Sequence, residues 1–146
     1  MRRRESTMTL KMTVGEMQDF LQEHFPHMIE NFVVEGLAPN QATVRLHIDE
    51  KNLRAGNTVN GPSMFSLADV SFYLALMAMI GPKALAVTTN CSIDFMRKPA
   101  AGRDLIGKAQ ILKLGRVLAV GDVVIYSEGD DRPVARAGLT YSIPPA

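Results

Sequence analysis

The sequence has 146 residues, of which 47% are hydrophobic and 21% are charged, and this composition excludes a disordered chain. The 16 Lys and Arg residues against 15 Asp and Glu residues leave a net charge of +1, which lacks the basic excess typical of nucleic-acid binding. The single cysteine, Cys91, cannot form an internal disulfide, so a reducing cytoplasm is the expected compartment.

The chain begins with a basic stretch that no apolar run follows, so a signal peptide is not expected. We interpret residues 1–12 as a flexible basic tail and residues 13–146 as a single domain. Thr13 and Glu16 match a capping box, and apolar residues then recur at helical spacing. This pattern predicts a short helix that ends before Pro26, which cannot continue it.

Two strands are predicted next, over residues 31–37 and 41–48, with a turn at Pro39-Asn40. The second run alternates apolar and polar residues, which is typical of a strand with one buried face. A polar connector over residues 49–60 follows.

The segment from Pro62 to Ile80 is apolar around almost its whole circumference, and Gly81-Pro82 ends it. Such a helix must be surrounded by protein or by lipid. Its first half carries Asp69 and three serines, and a carboxylate at the centre of a bilayer costs about 2.5–3.5 kcal/mol. We therefore predict a helix that is buried inside a sheet.

Four further strands are predicted, over residues 85–96, 104–113, 117–127 and 134–143. Their short connectors contain glycine and favour antiparallel pairing, so the expected fold class is α+β. In the first of these strands, strict alternation would place Val87 and Cys91 on the core face and Thr88 on the opposite face.

Asp69 is the only charged residue between Arg54 and Lys83. A buried carboxylate must be paired, hydrogen-bonded or protonated, and taken alone it fits a structural network better than a catalytic role. The turn Asn60-Gly61-Pro62 precedes it at the helix N-terminus, where free N–H groups favour a negative oxygen. Taken alone, this turn is a plain helix cap, but together with Asp69 it suits acyl transfer.

Residues 61–69, Gly-Pro-Ser-Met-Phe-Ser-Leu-Ala-Asp, resemble the helix signature of the PaaI-type acyl-CoA thioesterases, which belong to the hot-dog superfamily. In that family a His-Gly-Gly turn precedes a helix that carries Asp eight residues after the first Gly. The resemblance covers roughly residues 49–143 in register. It implies a long helix wrapped by an antiparallel sheet, a homo-oligomer (a dimer or a dimer of dimers), and an active site at the subunit interface.

The resemblance also implies roles for individual residues. Asp69 would act as general base toward water or as nucleophile, the N–H of Gly61 would polarise the thioester carbonyl, and Thr88 would orient the water. Asn60 stands where the family has His, and as an amide it could still donate to the carbonyl oxygen. Pro62 replaces the second Gly of the family turn.

Six further residues are candidates for contact with the substrate, and the three cations among them either meet the phosphates of CoA or are ordinary solvated charges. These are Ser63, Phe65 and Tyr73, and Arg97, Lys98 and Arg103. No metal and no cofactor besides the CoA of the substrate is implied, and neither a nucleic-acid nor a membrane partner is expected.

Three functions remain open from the sequence. The first is the hydrolysis of an acyl-CoA to free acid and CoA. The second is a non-catalytic acyl-CoA binding module, which the replacement of the family His by Asn60 motivates. The third is a hydratase or dehydratase acting on an acyl thioester, which ranks lowest because no His accompanies the helix region.

Overall fold

The computed structural model describes residues 9–27, 29–82 and 85–145. Two α-helices, two short 3-10 helices and eight strands make up the regular structure of this part of the chain. In chain order the α-helices and strands are α1 (Val14–His24), β1 (Phe32–Ala38), β2 (Gln41–Leu46), β3 (Leu53–Arg54), β4 (Thr58–Val59), α2 (Gly61–Ile80), β5 (Val87–Phe95), β6 (Leu105–Leu114), β7 (Leu118–Ser127) and β8 (Pro133–Ser142).

Six of the strands form one antiparallel sheet in the order β1-β2-β6-β7-β8-β5. The β1–β2 hairpin turns at Pro39-Asn40, where Asn40 has a positive φ of 62°. Strands β6, β7 and β8 form a meander, and β5 pairs with β8 at one edge of the sheet. Strands β3 and β4 form a small separate hairpin directly before α2. The predicted α+β fold with antiparallel pairing is confirmed.

Helix α2 packs across one face of this sheet and supplies much of the core. It begins at Gly61, one residue before the predicted start, so Pro62 occupies its second position, where a backbone N–H would also lack an intrahelical partner. The helix is long and apolar enough to cross a membrane, but 67% of its most apolar window is buried inside the protein. The protein, rather than lipid, therefore covers most of the apolar surface of this helix.

Two glycines let α2 lie close to the sheet. A Cβ on Gly121 of β7 would lie 2.2 Å from the carbonyl oxygen of Gln110 and 2.7 Å from the ring of Phe72. A Cβ on Gly107 of β6 would lie 2.4 Å from Oγ of Ser71. Side chains larger than hydrogen at these positions would push the helix away from the strands.

Helix α1 covers the end of this core. Its predicted capping box is present, since Thr13 Oγ1 accepts from the N–H of Glu16 and the Glu16 side chain accepts from the N–H of Thr13. The first eight residues of the predicted tail lie outside the described residues. Its last residues pack on the domain: Met12 is buried, and Lys11 donates to the carbonyl of Ala78 at 2.7 Å. These residues belong to the folded unit and are not free.

Strand β5 departs from the predicted alternation. The register shifts between Thr88 and Asn90, so Thr89 is an extra residue in a β-bulge. Thr88 pairs with Tyr141 and Cys91 with Leu139, which places Thr88 on the same face as Cys91. The prediction that Thr88 faces away from the core was therefore wrong, because a bulge resets the period of two.

Candidate active site

Asp69 lies half-buried on α2, and two hydroxyl groups donate to one of its carboxylate oxygens. Thr88 Oγ1 and Tyr141 OH each lie 2.6 Å from Asp69 Oδ1. No donor contacts Oδ2 within the part of the chain that the structure describes. The carboxylate thus has one saturated oxygen and one that is available for chemistry.

The sheet brings the two hydroxyls together. Thr88 on β5 and Tyr141 on β8 are direct cross-strand partners, so their side chains stand beside each other on one face. The bulge at Thr89 makes this possible, and its own hydroxyl donates to the carbonyl of Thr140 at 3.2 Å. Bulges are over-represented next to active sites, where they re-aim a side chain.

The environment keeps Tyr141 in its neutral, donating form. Burial raises the pKa of Tyr141 well above its usual range, and the negative charge of Asp69 adds to this shift. The same hydroxyl lies 3.2 Å from the main-chain carbonyl oxygen of Asp69. Burial, together with the charge of Asp69, also raises the pKa of the Cys91 thiol, which makes that thiol a poor nucleophile.

A cavity of about 350 Å³ opens beside this carboxylate. Its wall is mainly apolar and aromatic, and the polar groups gather at Asp69. The lining residues are Leu21, Phe25, Phe32, Asp69, Val70, Tyr73, Ala86, Val87, Thr88 and Tyr141. A concave apolar site with a few convergent polar groups is the usual form of a small-molecule site in proteins.

Tyr73, predicted to contact the substrate, lines this cavity. It lies one helical turn after Asp69, and its ring packs edge-on against Phe25 with centroids 5.7 Å apart. Its hydroxyl is buried and has no hydrogen-bond partner among the described residues. Burial raises the pKa of Tyr73 to about 12.

The turn before α2 lies away from this cavity. Asn60 is the N-cap residue of the helix: its Oδ1 accepts from the N–H of Ser63 at 2.8 Å, and its Nδ2 donates to the carbonyl of Lys51 at 3.3 Å. Ser63 Oγ in turn accepts from Asn52 at 2.9 Å. Asn60 and Ser63 line a second, more polar cavity of about 300 Å³. Both polar atoms of the Asn60 side chain are thus engaged within the chain.

The N-terminus of α2 and the C-terminal end of β5 meet at one end of the molecule. A Cβ on Gly61 would lie 3.3 Å from the ring of Phe95, which is itself 52% exposed. The exposed residues Arg97 and Lys98 follow that strand end. Arg103 is also exposed, and it donates to the carbonyl of Glu128 at 3.2 Å.

The structure therefore separates the predicted site residues into two groups. Asp69, Thr88 and Tyr73 meet at the first cavity, whereas Asn60, Gly61 and Ser63 lie at the start of α2. Phe65 is 41% exposed and lines neither cavity.

Sequence reasoning missed Tyr141, which donates to the carboxylate. The only sequence signal for it was a tyrosine in an apolar strand, and that is also typical of an ordinary core residue.

Known proteins share the sequence features of this site region. A family model described as the thioesterase superfamily matches residues 56–134. The acyl-coenzyme A thioesterase PaaI of Escherichia coli K12 is 31% identical over 102 residues, which are 70% of this chain and 71% of the relative. The chain belongs to the thioesterase superfamily.

Solved structures agree with this assignment. A candidate thioesterase from Silicibacter sp. TM1040 superposes with a TM-score of 0.89 at 53% identity, over 95% of this chain and 96% of that one. A mutant of the phenylacetic acid degradation protein PaaI from Thermus thermophilus gives a TM-score of 0.71 at 31% identity, over 82% and 99%. The protein has the hot-dog fold of the PaaI-type thioesterases and is a thioester hydrolase.

Proposed function

We propose that this enzyme hydrolyses an acyl-CoA to the free acid and CoA, with Asp69 as the base that activates water. The observation that carries the proposal is the carboxylate itself, with Thr88 and Tyr141 on Oδ1 and with Oδ2 facing no donor among the described residues. A carboxylate oxygen that no donor contacts, beside an apolar cavity, is suited to accept a proton from water.

The proposed hydrolysis proceeds in two steps. A water molecule gives one proton to Oδ2 of Asp69, while its oxygen bonds to the thioester carbonyl carbon and the carbonyl oxygen becomes negative. The carbonyl then re-forms as the carbon–sulfur bond breaks, and the thiolate leaves with the proton that Asp69 held. Thr88 and Tyr141 keep the carboxylate oriented throughout.

The negative carbonyl oxygen needs donors, and the N–H of Gly61 is our candidate. Gly61 and Asp69 are eight residues apart on one helix, which is about 12 Å along its axis. One carbonyl group cannot contact both at hydrogen-bonding distance. We therefore infer that Gly61 of a second copy of the chain completes each site. Asn60 supports this turn as its N-cap.

The sheet offers a place for that second copy. Strand β5 lies at an edge of the sheet, and Val87 and Phe95 on it are 55% and 52% exposed. A long exposed edge strand is a ready template for pairing with another chain. We infer a homodimer that joins at β5, which brings the α2 N-terminus of each subunit toward the partner's Asp69.

The chemistry of the two ends fits the two parts of an acyl-CoA. The apolar cavity beside Asp69 would take the acyl group, with Tyr73 in its wall. The exposed cations Arg97 and Lys98 follow the strand end that lies beside Gly61, and the exposed Arg103 lies next to Glu128 and Gly129. The phosphate groups of CoA would form ion pairs with these cations.

A thiol-release assay on acyl-CoAs of different chain length and on aryl acyl-CoAs tests the function. Asp69→Asn keeps the shape of the side chain and its acceptor oxygen, but it removes the base. We expect kcat to fall by about 100-fold or more. Asp122→Asn, on the outer face of β7, is the matched control and should turn over like the parent. If the parent protein releases thiol from none of these acyl-CoAs, the proposal is contradicted.

Mixing two inactive variants tests whether the site is shared between subunits. Gly61→Pro removes the N–H at a helical position where proline is tolerated. After subunit exchange with Asp69→Asn, half of the dimers are mixed, and each mixed dimer has one intact site. The mixture should recover about one quarter of the parent activity. No recovery from two variants that are each folded and dimeric would show that the two residues act within one chain.

A further inference from the structure

One oxygen of Asp69 receives both hydroxyl donors. A carboxylate oxygen has two lone pairs, and Thr88 and Tyr141, each at 2.6 Å, occupy both. The two oxygens of the carboxylate therefore differ: both hydroxyl groups hold Oδ1, whereas Oδ2 is available to react. Thr88 was expected from the family resemblance, but nothing in that resemblance assigned a role to Tyr141.

We propose that Tyr141 is a positioning residue for the hydrolysis: its hydroxyl fixes Asp69 Oδ1 so that Oδ2 faces the attacking water. This inference rests on the proposed function of Asp69. Tyr141 acts through the carboxylate, and no proton moves through its hydroxyl.

The setting of Tyr141 suits this role better than that of Thr88. Tyr141 is 3% exposed and belongs to β8, which is flanked by β7 and β5, whereas Thr88 lies on the edge strand. The Tyr141 ring packs against Phe72 and Tyr73, with centroids 5.5 and 6.0 Å apart. The hydroxyl is therefore held in place by the core, and its raised pKa keeps it a donor at every working pH.

The hydroxyl of Tyr141 should affect the pH dependence as well as the rate. A hydrogen bond donated to the ionised form of a carboxylate favours that form. When the donor is removed, the ionised form loses this stabilisation. The acidic limb of the pH–rate profile, where the base becomes protonated, should then move to higher pH.

Tyr141→Phe tests this, because it keeps the ring and removes only the hydroxyl. We expect kcat to fall roughly tenfold to a hundredfold with little change in KM, and the acidic limb to move upward. Tyr126→Phe is the matched control: Tyr126 lies on β7 beside Lys108, away from the cavity, and its loss should change neither quantity.

A second variant guards against a folding defect. Replacing Tyr141 by 3-fluorotyrosine keeps the ring and makes the hydroxyl a stronger donor, so the acidic limb should move to lower pH. Circular dichroism shows whether each protein is folded.

The outcomes separate the two proposals. A parent that releases no thiol, or a folded Asp69→Asn protein with full activity, would contradict the proposed function. An active parent whose folded Tyr141→Phe form has the same kcat and the same acidic limb would overturn the role of Tyr141 alone. A lower rate with an unmoved limb would also overturn it, since that result reports packing only.

Discussion

Gly121 allows the closest approach between β7, β6 and helix α2, and Gly121→Ala should be among the most damaging methyl additions in the sheet. The added Cβ would lie 2.2 Å from the backbone oxygen of Gln110 and 2.7 Å from the ring of Phe72. The first of these contacts is with backbone, which cannot rotate away. Overpacking of this kind costs about 1–3 kcal/mol.

In a protein of this size each kcal/mol shifts Tm by about 2–4 °C, so we expect Tm to fall by roughly 2–12 °C. The rate should also fall, because moving α2 away from the sheet lengthens the 2.6 Å contacts of Asp69 with Thr88 and Tyr141. Thermal unfolding followed by circular dichroism and the thiol-release assay measure the two effects.

Gly138→Ala is the matched control. Gly138 lies on β8 in the same sheet, but the nearest atom to its added Cβ is Oδ1 of Asp122 at 4.0 Å. It should leave Tm within about 1–2 °C of the parent. If Gly121→Ala melts at the parent temperature with the parent kcat, the close approach of β6 and α2 to Gly121 does not limit the packing.

Two further predictions follow from single side chains. Asn60→Ala removes the N-cap of α2 and should lower the free energy of unfolding by about 1 kcal/mol in urea melts. Asn60→Asp keeps the cap and loses only the bond that Nδ2 donates to the carbonyl of Lys51, so it should lower that free energy less. If Asn60 also supports the oxyanion site, Asn60→Ala lowers kcat more than it raises KM; equal activity would leave it a turn residue only. For Tyr73, the folded-state pKa of about 12 lies above the ordinary value of 10.0, so the folded protein resists losing this proton and loses stability as pH rises from about 10 to 12. Tyr73→Phe should reduce the decline of the denaturation midpoint between about pH 10 and 12. It should also stabilise the protein by about 1 kcal/mol or more at neutral pH, because it deletes a buried hydroxyl that lacks a partner among the described residues. An unchanged decline would show that Tyr73 is not the group responsible for it.

Much of the fold could be predicted because its signals are local. Pro62 and Gly81 bracket α2, and the alternation of β2 shows directly in its buried residues Ala42, Val44 and Leu46. Asp69 stood out because a lone carboxylate in an apolar helix requires partners. These features are encoded within one segment each, so no knowledge of the other segments is needed to find them.

The partners of Asp69 could not be found in the same way. Tyr141 is 72 residues away, and its hydroxyl becomes informative only once β8 is known to pass under α2. The bulge at Thr89 depends on how β5 pairs with β8, which strict alternation within β5 cannot reveal. Asn60 illustrates the opposite error: its position beside Gly61 suggested a substrate donor, whereas its side chain caps the helix.

The bulge at Thr89 also limits how the sheet could grow. A bulge twists the end of an edge strand away from the plane in which another strand would add, so the regular part of the β5 edge runs only from Asn90 to Phe95. Antiparallel pairing of two such segments would place a two-fold axis between Ser92 and Ile93 and would set Asn90 of one chain opposite Phe95 of the other. The extra residue that turns Thr88 toward Asp69 would thereby also select a single alignment between subunits.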